Sequence, residues 1–160
     1  MGGVISHLVA WWATVYANHS NLETCVEFAH VGGLLAGGGC AVAADRATLR
    51  ASRESADVRA LRLNDLAGVH RIVIISLGFV IASGVLLFAS DVGTFLHSYL
   101  FWTKMGLVAV LLANGGILAR AERRAAGGEA RAWRRLQYAS VASLTLWFTT
   151  ALIGTALLNL

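Results

Sequence analysis

Five histidines, one lysine and nine acidic residues are the side chains of this 160-residue chain that could do chemistry inside a largely apolar sequence. His30 stands out, because it lies in the run EFAHVGGLLAGGGCA, one to two turns inside the predicted outer boundary of a spanning helix. An ionisable group at membrane depth is costly and marks a functional candidate. Two readings are open: an axial ligand to haem, or a ligand to metal or quinone; alternatively, an imidazole hydrogen-bonded to a neighbouring helix. His70 cannot share one iron with His30, because it falls at the opposite end of its helix, about 21 Å of helical rise away. The partners at the right level are His97, His19, His7 and the thioether of Met105. A His/His or His/Met pair would give b-type haem chemistry. No Cys-x-x-Cys-His sequence is present, which excludes covalent c-type attachment.

Around His30 the spacing of small residues is informative. Gly33, Gly37 and Ala41 share its helix face, and a stripe of this kind admits either another helix or a flat ligand close to the backbone. Lys104 is predicted at the same depth, where it could meet a haem propionate or a quinone oxygen, or extend its ammonium to the headgroups. The expected cofactor-binding set is therefore His30, His97, Met105, Lys104, Gly33 and Gly37, with His30 also the one metal-ligand candidate. Glu27-x-x-His30 has the spacing of a carboxylate-bridged di-iron motif, but such sites need two motifs and two further glutamates. Glu23, Glu27, His30 and His19 form a weaker copper or zinc grouping. Asp45-Arg46 reads as an interfacial ion pair, His70-Arg71 as a polar helix end, and Asn114 as one partner in an interhelical hydrogen bond. No Ser-His-Asp grouping or phosphate loop appears.

The elements that must position these residues follow from charge. All twelve arginines fall between Arg46 and Arg71 or between Arg120 and Arg135, and Lys104 is the only other cation. Between the clusters run nearly uncharged apolar stretches. With 57% hydrophobic residues and a mean hydropathy of +0.65, the sequence predicts an integral membrane protein. Spans of about 20 residues are needed to cross a ~30 Å hydrocarbon layer, and four are predicted, at about 22–44, 70–90, 102–120 and 135–158. The whole chain, 1–160, is read as a single membrane domain. Its class is all-α: an antiparallel bundle of four transmembrane helices, preceded over residues 1–20 by an outer interfacial amphipathic helix with Trp11, Trp12 and Tyr16 at headgroup level. Ser20 and Glu23 have capping-box spacing, placing the first span's start near Asn21. Phe95, Tyr99, Phe101 and Trp102 form an aromatic belt in the outer loop.

Arginine-rich short loops stay cytoplasmic. Both termini are therefore expected on the periplasmic side of a bacterial inner membrane. The net charge of +4 is read as topogenic, with attraction to anionic lipid, and not as a nucleic-acid footprint. Residues 1–10 lack a basic n-region, so no cleavable signal peptide is expected. Cys25 and Cys40, 15 residues apart on one predicted helix, are about 22 Å apart and out of disulfide reach.

The stretch TCVEFAHVGGLLAGGGCAVAADRATL, with GFVIASGVLLFAS and FWTKMGLVAVLLANGG after it, resembles a group of small, uncharacterised bacterial four-helix membrane proteins. The similarity covers about residues 20–120. It implies importance for His30, Asp45, Arg46, Phe101 and Lys104. The chain departs from the group at Ala44-Asp45-Arg46-Ala47, where an Asp-Leu-Arg-Leu order is usual. More distantly the layout is similar to copper-resistance-D-like and cytochrome-b-like bundles, which implies haem or copper.

Three functions follow as expectations. The first is a haem- or redox-associated protein of electron-transfer type, carrying b-type haem at His30. The second is a non-catalytic accessory subunit that packs against other membrane subunits or against copies of itself within the lipid bilayer. The third, a small metal or proton transporter, is disfavoured because the spans lack paired acidic residues. None of the three is primarily a catalyst.

Overall fold

The computed structural model describes residues 2–157; for residues 2, 56–58, 60–67 and 130 only the backbone is described. Among the described residues the chain forms six helices and no strand: α1 (Gly2–Asn18), α2 (Ser20–Ala51), α3 (Ala56–Ser90), α4 (Val92–His97), α5 (Tyr99–Ala126) and α6 (Ala130–Leu157). Four stretches are long and apolar enough to cross a bilayer: Ser20–Ala51, Gly68–Ser90, Tyr99–Ala126 and Arg131–Leu157. The protein is a multi-pass membrane protein built as an all-α bundle.

Helices α2 and α3 are longer than the predicted spans. No proline occurs, and no glycine lies between Gly39 and Gly68, so nothing stops α2 at Ala44. It continues to Ala51, giving a rod of 32 residues, about 48 Å long. The arginine-rich residues after Ala44 are thus helical overhang, and the true turn is only Ser52–Ser55. At the other end, α2 begins as expected but without the predicted capping box. His19 occupies the N-cap position, with no side-chain cap. Ser20 is already inside the helix, where its carbonyl accepts from Thr24 Oγ1 at 2.9 Å. The predicted outer loop contains a further short helix, α4. Its start is capped by Asp91, which accepts from the Thr94 amide at 3.0 Å. Hydrogen bonding from the Thr94 side chain, and then from its amide, holds the exposed Asp91 carboxyl pKa below its ordinary value.

Two antiparallel hairpins make up the bundle. In one, α2 packs along α3; in the other, α5 packs along α6. The hairpins are joined chiefly through α2 and α6, while α3 and α5 scarcely meet. The α5–α6 core contains Leu118, Ala121, Leu136 and Ala139, with Trp133 against it. Asn114 Nδ2 donates to the Ala139 carbonyl at 2.9 Å, the interhelical bond expected from sequence. Arg59 lies over the Trp133 ring, 5.4 Å from its centre, and ties the overhang of α3 to the start of α6. At the opposite end Phe88, Phe95 and Phe101 cluster, with Phe88 stacked on Phe101 at 5.2 Å. Helix α1 docks on this end: Trp12 Nε1 donates to the Leu86 carbonyl at 2.8 Å. Tyr16 is the buried residue of α1; burial pushes its phenol pKa up, and the nearby Glu27 and Glu23 act in the same direction.

Candidate functional site

His30 is half-buried in the α2–α3 interface. Its Nδ1 lies 3.1 Å from the Val80 carbonyl and 3.1 Å from Ser83 Oγ. The Ser83 hydroxyl gives its proton to the Phe79 carbonyl at 2.6 Å. Nδ1 must therefore be the protonated nitrogen, donating to Val80 O, and Nε2 carries the lone pair. The small-residue face beside it is filled by α3. A Cβ on Gly33 would stand 2.8 Å from Val80 Cγ2 and 3.1 Å from the Ser76 carbonyl; one on Gly37 would stand 2.9 Å from Ser76 Cβ. Of the two uses foreseen for this stripe, the close approach of a neighbouring helix is the one seen at Gly33 and Gly37.

The other residues of the expected outer site are spread apart. His97 Nδ1 bonds within its own short helix, to the Gly93 carbonyl at 2.8 Å, and the residue is exposed. Met105 is exposed on α5. Lys104 is half-buried and leans across α6, its Nζ 3.5 Å from where a Gly154 Cβ would be. It is also an electrostatic neighbour of His30, so these two candidates do share a level. Among the described residues no group of three His, Cys, Asp or Glu side chains gathers to hold a metal ion. Cys25 and Cys40 are free thiols.

Near the arginine-rich end, the four spans enclose a cavity of ≈310 Å³. Asp45 and Thr48 of α2, His70 of α3, Glu122 of α5, and Ser143 and Trp147 of α6 all contribute to its wall. Asp45 is not the interfacial ion pair with Arg46 that the sequence suggested. Its side chain turns inward, is only 5% exposed, and lies beside the Ser140 and Ser143 hydroxyls. Arg46 is exposed. The cause is helical register: Asp45 follows Gly38, which packs on Trp147 of α6, by about two turns on the same face, while Arg46, 100° further round, points away from it. Asp45 Oδ2 and Ser140 Oγ make no hydrogen bond. Across the cavity His70 Nδ1 is 3.6 Å from Glu122 Oε2. Glu122 senses both His70 and Asp45, and Asp45 senses His70. His70, read from sequence as a polar helix end, is thus one of three titratable groups from three helices around one hollow.

Sequence reasoning missed this constellation. Asp45, His70 and Glu122 are far apart in the chain, and each sits beside an arginine that explains it locally. One signal could have found it: all three fall at the same predicted depth, on adjacent helix ends. Comparison with protein-family models, curated proteins and solved structures finds no match to the chain.

Proposed function

We propose that the protein is a small proton-coupled carrier of the bacterial inner membrane, with the cavity at Asp45 as its working site. The observation that carries this reading is the Asp45 carboxyl: 5% exposed, on the wall of a cavity, with Oδ2 unpartnered. A buried carboxylate whose only polar neighbours on α6 are the Ser140 and Ser143 hydroxyls, with one oxygen left unbonded, costs several kcal/mol, roughly, unless a proton or a counter-charge joins it. A site that must hold one or the other exchanges them, and that exchange is the elementary step of a proton-coupled carrier. His70 and Glu122 extend the group toward the arginine-rich loops and give the proton a route to that side. The distribution of arginine supports a cytoplasmic side for those loops, with the termini outside.

The paired acids whose absence counted against a transporter on sequence grounds are Asp45 and Glu122, supplied by different hairpins. Proteoliposomes enclosing a pH-sensitive dye test the reading. An imposed gradient should dissipate through the wild type faster than through Asp45→Asn. Equal rates in the two, at equal reconstitution, would refute it.

A second reading rests on His30, whose Nδ1 engagement leaves Nε2 able to ligate, as in histidines held by a backbone carbonyl. On that reading the protein is an electron-transfer component carrying haem or a metal at His30, with Lys104 beside it. A Soret band in the purified protein that disappears in His30→Ala and survives in His70→Ala would support this reading over the first.

A further inference from the structure

The cavity wall is as informative about a ligand as the acids within it. Between α3 and α5 packing is sparse, with Phe88 on Phe101 toward one end and His70 beside Glu122 toward the other, and the cavity reaches the seam between them: Ile74, Leu112 and Gly115 line it and are also exposed on the outside. At Gly115 a Cβ would meet nothing within 4 Å. The window therefore lies where two consecutive glycines, Gly115 and Gly116, leave α5 without side chains. In a membrane this seam faces hydrocarbon, so a molecule that enters here comes out of the lipid phase and must be largely apolar. Inside, the walls are aliphatic apart from Trp147, and the polar groups are two carboxyls, one imidazole and two hydroxyls. Among the described residues no arginine or lysine lines the cavity; Arg46, Arg71 and Arg120, adjacent in sequence to its lining, are exposed, and the Arg120 guanidinium reaches only the neighbourhood of Gly116, 3.9 Å from where a Cβ would stand. Inside, an anion would meet two carboxyls and no guanidinium or ammonium. A cation would find the unpartnered oxygen of Asp45, and Trp147 offers an aromatic face of the kind that attracts cations.

We propose that the site takes a lipophilic monovalent organic cation, which enters laterally between α3 and α5 and displaces the proton from Asp45. The substrate class rests on the carrier reading above. The exchange balances in charge: one proton leaves the carboxyl as one cation arrives. The groups that face Asp45 are His70 on α3 and Glu122 on α5, with only the Ser140 and Ser143 hydroxyls from α6. Acidification therefore adds positive charge to this cluster at every member, and all of it opposes the cation.

Two ions of the same shape and opposite charge test the proposal on the full chain in detergent micelles. By equilibrium dialysis, tetraphenylphosphonium should bind saturably, at one per chain, and tetraphenylborate should not. Phosphonium affinity should weaken by up to about ten-fold per pH unit on acidification, as one-proton competition requires. Asp45→Asn should weaken it by at least about 30-fold, the loss expected when a buried ion pair is left with one member. Gly115→Trp, which closes the window and leaves every charge in place, should slow or abolish binding. Borate binding as tight as phosphonium, phosphonium binding indifferent to pH, or equal binding by wild type and Asp45→Asn would each overturn the proposal. If phosphonium fails to bind while Asp45-dependent proton flux persists in proteoliposomes, the substrate class falls and the carrier reading stands. If phosphonium binds through Asp45 without any proton flux, the ligand assignment stands and the coupling falls.

Discussion

Replacing Gly33 with alanine tests how tightly α2 and α3 are pressed together, with Gly39→Ala as its internal control. Both glycines lie within α2, six residues apart, and the chemical change is identical. At Gly39 a Cβ meets nothing within 4 Å; at Gly33 it meets Val80 Cγ2 at 2.8 Å, the Ser76 carbonyl at 3.1 Å and the Val80 amide nitrogen at 3.5 Å. The valine could rotate away, but two of the three atoms are backbone, so α3 itself must retreat. Overpacking of this kind costs about 1–3 kcal/mol. Alanine is also the better helix former by about 1 kcal/mol, a gain common to both sites. Gly39→Ala should thus be neutral to slightly stabilising, and Gly33→Ala should lie about 1–3 kcal/mol below it. Unfolding in mixed micelles of increasing sodium dodecyl sulfate fraction, followed by tryptophan fluorescence, measures the difference directly. Coincident transitions for the two variants would refute a helix–helix contact at Gly33, and with it the seating of His30 against Val80.

Three further outcomes are expected. Asn114→Leu removes the bond to the Ala139 carbonyl and should cost about 0.6 kcal/mol, with a ceiling near 1.7, the range found for such bonds in membranes; a larger loss in the same unfolding assay would mean that Asn114 does more than bridge two helices. The Asp91 cap should be pH-dependent. Because its folded pKa lies below the ordinary value, which is about 3.9, its contribution is complete above that value and is lost as pH falls through the lower folded one. An NMR titration in which Asp91 protonates at or above the value of a free aspartate would contradict this. Finally, a single cysteine at the exposed Ser55, in a background with Cys25 and Cys40 replaced by alanine, should resist an impermeant maleimide added to intact cells and react after lysis; labelling from outside would invert the orientation.

The spans were legible because hydropathy and arginine segregation are properties of whole segments, and the bilayer imposes both. The bond from Asn114 was legible for the same reason: a lone amide in a span has few alternatives. The end of α2 was legible only in part: the lack of glycine and proline between Gly39 and Gly68 implies helix past the membrane, as found, but charge alone does not mark the turn at Ser52–Ser55. The cap at His19 was not legible. Ser20 and Glu23 have the right spacing, but the helix starts one residue earlier than that box would require. The candidate site was legible only in part. His30 was found by its depth, and its hydrogen bond to a neighbouring helix was one of the two readings offered. Asp45 was misread because an adjacent Arg46 supplied a sufficient local explanation. Which of two neighbours faces inward depends on where α6 lies, and no local pattern encodes that.

The connectivity of the two hairpins bears on how the protein is made. The α2–α3 interface, including Gly33, Gly37 and His30, joins segments that follow one another in the chain, and nothing in it requires α5 or α6. Synthesis at about 5–20 residues per second leaves several seconds between the emergence of α3 and that of α6, ample for the first pair to dock in the translocon's vicinity. The α5–α6 hairpin and the α2–α6 seam must wait for the last span. The cavity, which draws its wall from all four spans, is therefore the last feature of the molecule to exist, and a nascent chain has no ionisable hollow to protect until its final helix is in place.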